Sequence, residues 1–193
     1  MASLPPRTIR AYLFPTLVAY TGDKFSPEQG ERIRELAPAL FDRVRRGDTK
    51  GDAPIEEMIQ LYQAFETVTG SVEAAYEHVL ASADGIGQEA LRSFLRLVIK
   101  FMPTQVFARK CCDFFRKDHS FGRVSLESFD GDGKRFVLLM EDMAGYIYCA
   151  PGMMGVLRSL MRAMGHEKVT VVEELHPPPE PQDHDSYRIV VSW

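Results

Sequence analysis

The chain has 193 residues, enough for one domain of ordinary size with its own core. Hydrophobic residues make up 45% and charged residues 26%, so disorder is excluded as the dominant state. A formal net charge of −4 argues against a general nucleic-acid binder. Apolar runs such as Phe136-Val137-Leu138-Leu139-Met140 stop far short of the roughly 20 residues that span a bilayer. Pro5, Pro6, Arg7 and Arg10 stand where a signal peptide would be apolar, so none is expected. Cys111, Cys112 and Cys149 are odd in number and two are adjacent, which does not fit a secreted disulfide framework and predicts a cytoplasmic protein. No C-x-x-C is present to start a zinc site, and no metal is expected.

Ile9, Tyr12, Leu13, Leu17 and Val18 predict a first helix over residues 8–20, kinked at Pro15. Ser26-Pro27-Glu28-Gln29 is a start signal: Ser as N-cap, Pro at the first helical position, Gln closing a capping box. Ile33, Leu36, Leu40, Phe41 and Val44 continue at helical spacing to Arg45 and Arg46, and Gly47 closes that helix. Residues 47–53 read as a polar linker. Asp52 before Pro54 opens a helix with Ile55, Met58, Ile59, Tyr62 and Phe65 on its stripe. Thr69-Gly70-Ser71 breaks it, and Ser71 caps the next, with Val72, Ala75, Tyr76, Val79 and Leu80 inside. His78 lies off that stripe beside Glu73 and Glu77, which predicts a surface position. Asp84-Gly85-Ile86-Gly87 reads as a loop. Leu91, Phe94, Leu95, Val98 and Phe101 form a fifth stripe that Pro103 stops. Thr104 to Asp118 makes a sixth helix with Phe107, Cys111, Phe114 and Phe115 on one side.

After Ser120 the period shortens to near two. Residues 121–129 and 134–141 flank Asp130-Gly131-Asp132-Gly133, a hairpin signal. Pro151-Gly152 opens a last helix, with Met153, Met154, Val156, Leu157, Leu160, Met161 and Met164 as a wide apolar stripe; Arg158, Ser159 and Arg162 are expected to face away. Residues 167–175 and 186–193 are two more strands joined by a Pro-rich loop. The fold class is therefore α+β: an N-terminal helical part over 1–118, then strand–strand–helix–strand–strand over 119–193, with the Met-rich helix covering an antiparallel sheet. One domain over 1–193 is expected.

The chemical motifs are weak. Gly85-x-Gly87-x-x-Ala90 resembles a dinucleotide fingerprint but follows a helix, where that chemistry needs a strand. Asp130-x-Asp132 imitates the start of a calcium loop, but Lys134 and Arg135 would repel the ion. Cys112 and His119 stand roughly 10 Å apart on one helix, too far for a thiol and its base. His176, Asp183, His184 and Asp185 cluster in the Pro-rich loop and read as solvated. No catalytic residue is expected. Tyr146-x-Tyr148 followed by Pro151-Gly152-Met153-Met154 is more informative, because aromatic and Met side chains between a helix and a sheet line adaptable pockets.

The order of these pieces resembles the haem–nitric-oxide-binding (H-NOX) domain. The resemblance rests on the N-terminal helices, Thr69-Gly70 between two helices, Met102-Pro103-Thr104 before the Phe107 helix and Asp118-His119 at its end. A hairpin, a Tyr-containing segment, a Gly-Met-Met helix and two closing strands ending Tyr187-x-Ile189-x-Val191-x-Trp193 complete it. From about residue 104 the chain is also similar to 4-vinyl-reductase-type domains and TRAPP vesicle-tethering subunits, and it looks closest to a group of myxobacterial paralogues.

The H-NOX resemblance implies a haem held by a proximal His and a Tyr-x-Ser-x-Arg segment. Here His119 is the His near the matching place, and the segment reads Tyr146-x-Tyr148-x-Ala150, so Tyr stands for Ser and Ala for Arg. The 4-vinyl-reductase-type domains hold zinc with a Glu and several Cys, and only Cys149 stands near such a place.

The expectation is a haem-free, non-catalytic ligand-sensing or protein-interaction module of bacterial signalling, with no cofactor. The alternatives are a haem gas sensor for nitric oxide or oxygen, using His119 and Tyr146, and an enzyme of unknown type. The expected ligand pocket comprises Phe107, Cys111, Phe115, Tyr146, Tyr148, Met153 and Leu157, and its ligand is a small apolar molecule. Arg158 and Arg162 are expected to meet an acidic protein partner or a second copy of the chain. Neither nucleic acid nor membrane is an expected partner.

Overall fold

A computed structural model describes residues 6–90, 95–143, 147–174 and 186–193. Where one helix is predicted over 8–20, the chain makes strand β1 (Thr8–Arg10), a 3-10 turn (Ala11–Leu13) and helix α1 (Phe14–Lys24). Pro15 does not kink a helix; it starts one, in the first turn, where its missing N–H costs no hydrogen bond. β1 pairs antiparallel with β2 (Asp52–Pro54), so the end of the predicted linker is a strand. The capping box of Ser26 and Gln29 opens α2 (Pro27–Leu36). Pro38, which has no N–H to give the preceding turn, splits the continuation off as α3 (Pro38–Arg45).

Helix α4 (Ile55–Thr69) ends at Gly70 with φ of 74°, a left-handed cap that a side chain would strain. Ser71 Oγ accepts the Ala74 N–H at 3.1 Å and opens α5. This helix runs unbroken from Val72 to Ala90, through the predicted loop at Asp84-Gly85-Ile86-Gly87. Packing overrides the weak helix propensity of those glycines. α5 crosses helix α8 (Cys149–Ala163) so closely that a Cβ on Gly155 would run into the Leu80 carbonyl oxygen, and one on Gly87 would lie 2.7 Å from Ser159 Cβ. The fifth predicted stripe also changes. α6 spans Leu95–Lys100 and buries Ile99, while Val98 and Phe101, the latter 79% exposed, face outward. Leu91 and Phe94 lie outside the described residues. α7 covers Thr104–Asp118 as the sequence predicts.

Four strands follow: β3 (Arg123–Asp130), β4 (Arg135–Glu141), β5 (Thr170–Glu174) and β6 (Tyr187–Ser192). They form one antiparallel sheet in the order β3-β4-β6-β5. In the hairpin turn Asp130 Oδ1 accepts the Gly133 N–H at 2.8 Å, the local bond that makes Asp a turn residue. Phe136, Leu138, Met140, Ile189 and Val191 are buried on the inner face. α8 covers β5 and β6 there with Met154, Leu157, Leu160 and Met161, while α7 packs on β3. The architecture is α+β with the Met-rich helix on the sheet. Across the outer side of the sheet Arg188 of β6 joins Glu127 of β3 and Glu174 of β5 in a surface ion-pair ladder.

Candidate functional site

α7 is the most strongly amphipathic helix of the N-terminal part, and its buried side faces the start of α8. Between them, with the inner sides of α4 and α5 and the chain after β1, lies a cavity of about 210 Å³. Ile9, Leu13, Met58, Ile99, Met153 and Leu157 make its walls apolar. Among the described residues no lysine or arginine lines it, and Asp118 and His119 are the charged or titratable groups there besides thiols and phenols.

His119 stands at the C-terminal end of α7. Its backbone N–H and its ring Nδ1 both meet the Phe115 carbonyl, at 3.0 and 3.1 Å. A carbonyl only accepts, so Nδ1 carries the proton and Nε2 carries the lone pair. The ring stacks on Phe115 at 4.1 Å with planes 7° apart and meets the edge of Phe121. Burial pushes its pKa down to about 4, against the opposing pull of the Phe115 hydrogen bond, so it is neutral at pH 7. An antiparallel bridge from Ile9 to His119 and a bond from the Ser120 N–H to the Thr8 carbonyl fix the position from the N-terminal side.

The other polar groups of the wall are occupied. Tyr12, 52% exposed, donates to Asp118 Oδ2 at 2.9 Å. Burial raises the Asp118 pKa, while the Tyr12 bond and Arg10 oppose the shift. Tyr148 donates to Glu66 Oε2 at 2.7 Å and sets its ring edge-on to Tyr62. The Cys149 thiol lies 3.7 Å from Met143 Sδ, and burial pushes its pKa up to about 12. Burial also raises the Cys111 and Cys112 thiols, so none of the three is poised as a thiolate nucleophile.

Of the residues assigned to a pocket from sequence, Cys111, Phe115, Tyr148, Met153 and Leu157 line the cavity. Phe107 does not; it lies on the same side of α7 as Cys111 but one turn nearer the start of the helix, fully buried in the core beyond the cavity lining. Tyr146 and the Pro-rich loop with His176, Asp183, His184 and Asp185 lie outside the described residues. Sequence reasoning missed Asp118 at the end of α7, and Tyr12, Met58, Tyr62 and Ile99, which reach the cavity from three other elements. The stripe carrying Met58 and Tyr62 was visible, Ile99 and Asp118 stood on no predicted stripe, and nothing local says that these residues converge.

Arg158 and Arg162 do not simply face away. Both pair with Asp84 of α5, at 3.3 and 3.7 Å, and their side chains are 28% and 51% exposed. Ser159 between them is buried in the α5 crossing. His78 is partly exposed, with its ring packed inward. It packs 4.4 Å from the Phe25 ring and meets Tyr20 Oη at 2.9 Å, and burial lowers its pKa.

A haem, which the sequence resemblance implies, makes three demands: an axial ligand, cations or donors at two propionates, and room for the macrocycle. The first is met by His119, whose Nδ1–H bond to a carbonyl is the arrangement of most metal-ligating histidines. The other two are not. Among the described residues the wall has no cation, Tyr148 is committed to a carboxylate and the Ala150 side chain has no donor to offer. The cavity of about 210 Å³ is smaller than the roughly 300–1,000 Å³ that hold drug-sized ligands. The residues present do not fit a haem. Among the described residues no group of three or more His, Cys, Asp or Glu comes together to hold a metal ion.

No protein-family model matches the chain, and no curated protein does. Solved structures do. The chain is similar to the Fe(II) unliganded H-NOX protein of K. algicida at 13% identity and a TM-score of 0.65, over 95% of this chain and 96% of that one. It is similar to the S. oneidensis H-NOX protein in the Fe(II)NO ligation state at 11% identity and a TM-score of 0.62, over 95% and 98%. The Fe(II)CO form of an H-NOX domain from Shewanella oneidensis gives 12% identity and a TM-score of 0.58, over 95% and 98%. At these identities the likeness is one of fold, and the chain has an H-NOX-like fold over nearly its whole length.

Proposed function

We propose that this chain is a non-catalytic, haem-free sensor module of signalling type, a single domain acting in the cytoplasm, whose cavity takes a small apolar ligand. The observation that carries the reading is the cavity wall: apolar on most sides, without lysine or arginine among the described residues, and with Tyr148 held by its bond to Glu66. The high pKa values of the buried thiols favour a module without catalysis. Output goes to a protein partner or to a second copy of the chain, through the half-exposed cationic side of α8 at Arg162, with Arg158 beside it. Among the described residues no helix is long and apolar enough to cross a membrane.

A second reading, a haem-based gas sensor, is favoured by the lone pair on His119 Nε2 and by the iron proteins that share this fold. One experiment separates the two. The protein is expressed with haem supplied, purified, and titrated with haem while absorbance is followed through the Soret region. No stoichiometric Soret band is expected. A stoichiometric band that disappears in His119→Ala overturns the haem-free reading and installs the gas sensor.

A further inference from the structure

Resting on the ligand-sensing reading, we propose that the ligand is a one- or two-ring aromatic molecule with a single hydrogen-bond donor, of the phenol or indole class, held by a bond to His119 Nε2. The size comes from the space. A cavity of about 210 Å³ is somewhat larger than a roughly 150 Å³ apolar cavity that binds benzene. A single ring fits with room to spare, and a fused bicycle fills it.

The donor comes from the wall's hydrogen-bond accounting. Tyr12 is engaged with Asp118, Tyr148 with Glu66 and Cys149 with Met143. His119 Nδ1 is engaged with the Phe115 carbonyl, which leaves Nε2 as an acceptor with no partner among the described residues. Asp118, the other acceptor on the wall, is already bonded by Tyr12, at a half-exposed residue that marks the solvent side. An apolar molecule without a donor covers Nε2 and leaves it unsatisfied, and a molecule with an acceptor there sets two lone pairs against each other. The aromatic class comes from the rings on the wall: Phe115, Tyr62 and Tyr148 line the cavity, and they offer a flat ligand ring faces and edges to pack against.

The test is calorimetric titration of the purified full chain with two isosteric pairs: indole against indene, and 4-methylphenol against 1,4-dimethylbenzene. The donor-bearing member of each pair is expected to bind about tenfold tighter, as one satisfied buried hydrogen bond allows. In His119→Phe, which keeps a ring on Phe115, the two members should bind within about twofold of each other. If that variant does not fold, the wild-type ratio decides alone. Equal binding of both members by the wild type overturns the inference and leaves the cavity reading standing. No binding of any of the four overturns both.

Discussion

As pH falls below about 6.5, an unfolded chain begins to protonate His119, and the folded chain resists until about pH 4. The unfolded state then binds more protons, so stability falls with pH across that interval. His78, lowered by burial among Phe25, Phe65 and Tyr20, acts in the same direction. The folded-state stability measured by urea unfolding from pH 7 to pH 4.5 is therefore expected to drop, and His119→Gln to flatten the slope. An unchanged slope would mean that the ring titrates as if it were in water. A second expectation concerns Tyr148. Tyr148→Phe removes the bond to Glu66 and leaves a carboxylate facing an apolar ring, at a cost of about 1.5–3 kcal/mol in the same assay. His119 was legible as a residue of interest from its place at the end of a helix. Its tautomer was not, because the carbonyl that sets it belongs to the last turn of α7 and acts only once that helix ends at Asp118.

At the scale of elements, the crossing of α5 and α8 is the tightest contact in the chain, and it rests on Gly155 and Gly87. Gly155→Ala is expected to destabilise the protein by about 1–3 kcal/mol, because the added methyl meets backbone that cannot turn aside. Gly152→Ala, at the fourth residue of the same helix with open space around it, is expected to be neutral or slightly stabilising, as helix propensity alone dictates. Thermal or urea unfolding of the pair checks both; a similar loss in the two would refute the crossing. The α5 glycines also explain the main misreading. Asp84-Gly85-Ile86-Gly87 has the composition of a loop, and only the partner helix shows why small residues are needed there. The capping box at Ser26 was readable because its partners lie three residues apart. Pro38 and Pro15 were ambiguous for the same local reason: proline both opens and breaks helices, and the neighbouring elements decide which.

At the scale of the molecule, the period switch after Ser120 made the α+β layout and the covered sheet legible, whereas the cavity was not. It is a convergence of β1, the 3-10 turn after it and five helices, and no window of sequence contains it. The Met-rich helix ties the two together. Leu157 packs beneath the sheet side and also lines the cavity. Leu157→Ala is expected to cost about 2–5 kcal/mol and to widen the ligand space; a loss below about 0.5 kcal/mol would show that α8 does not cover the sheet. Because Asp84 holds Arg158, reversing Arg162 alone is the cleaner probe of the partner face, and Arg162→Glu should weaken association on size exclusion at low salt. The short bridge between Ile9 and His119 has a consequence in time. It closes a loop of roughly 110 residues, and such closures are entropically slow. The helices and the hairpin can form first from local contacts, so the binding wall is completed late, when the first strand comes home. Pulse-labelled hydrogen exchange should then find the Ser120 amide among the last to gain protection, and a nascent chain would be foldable before it is responsive.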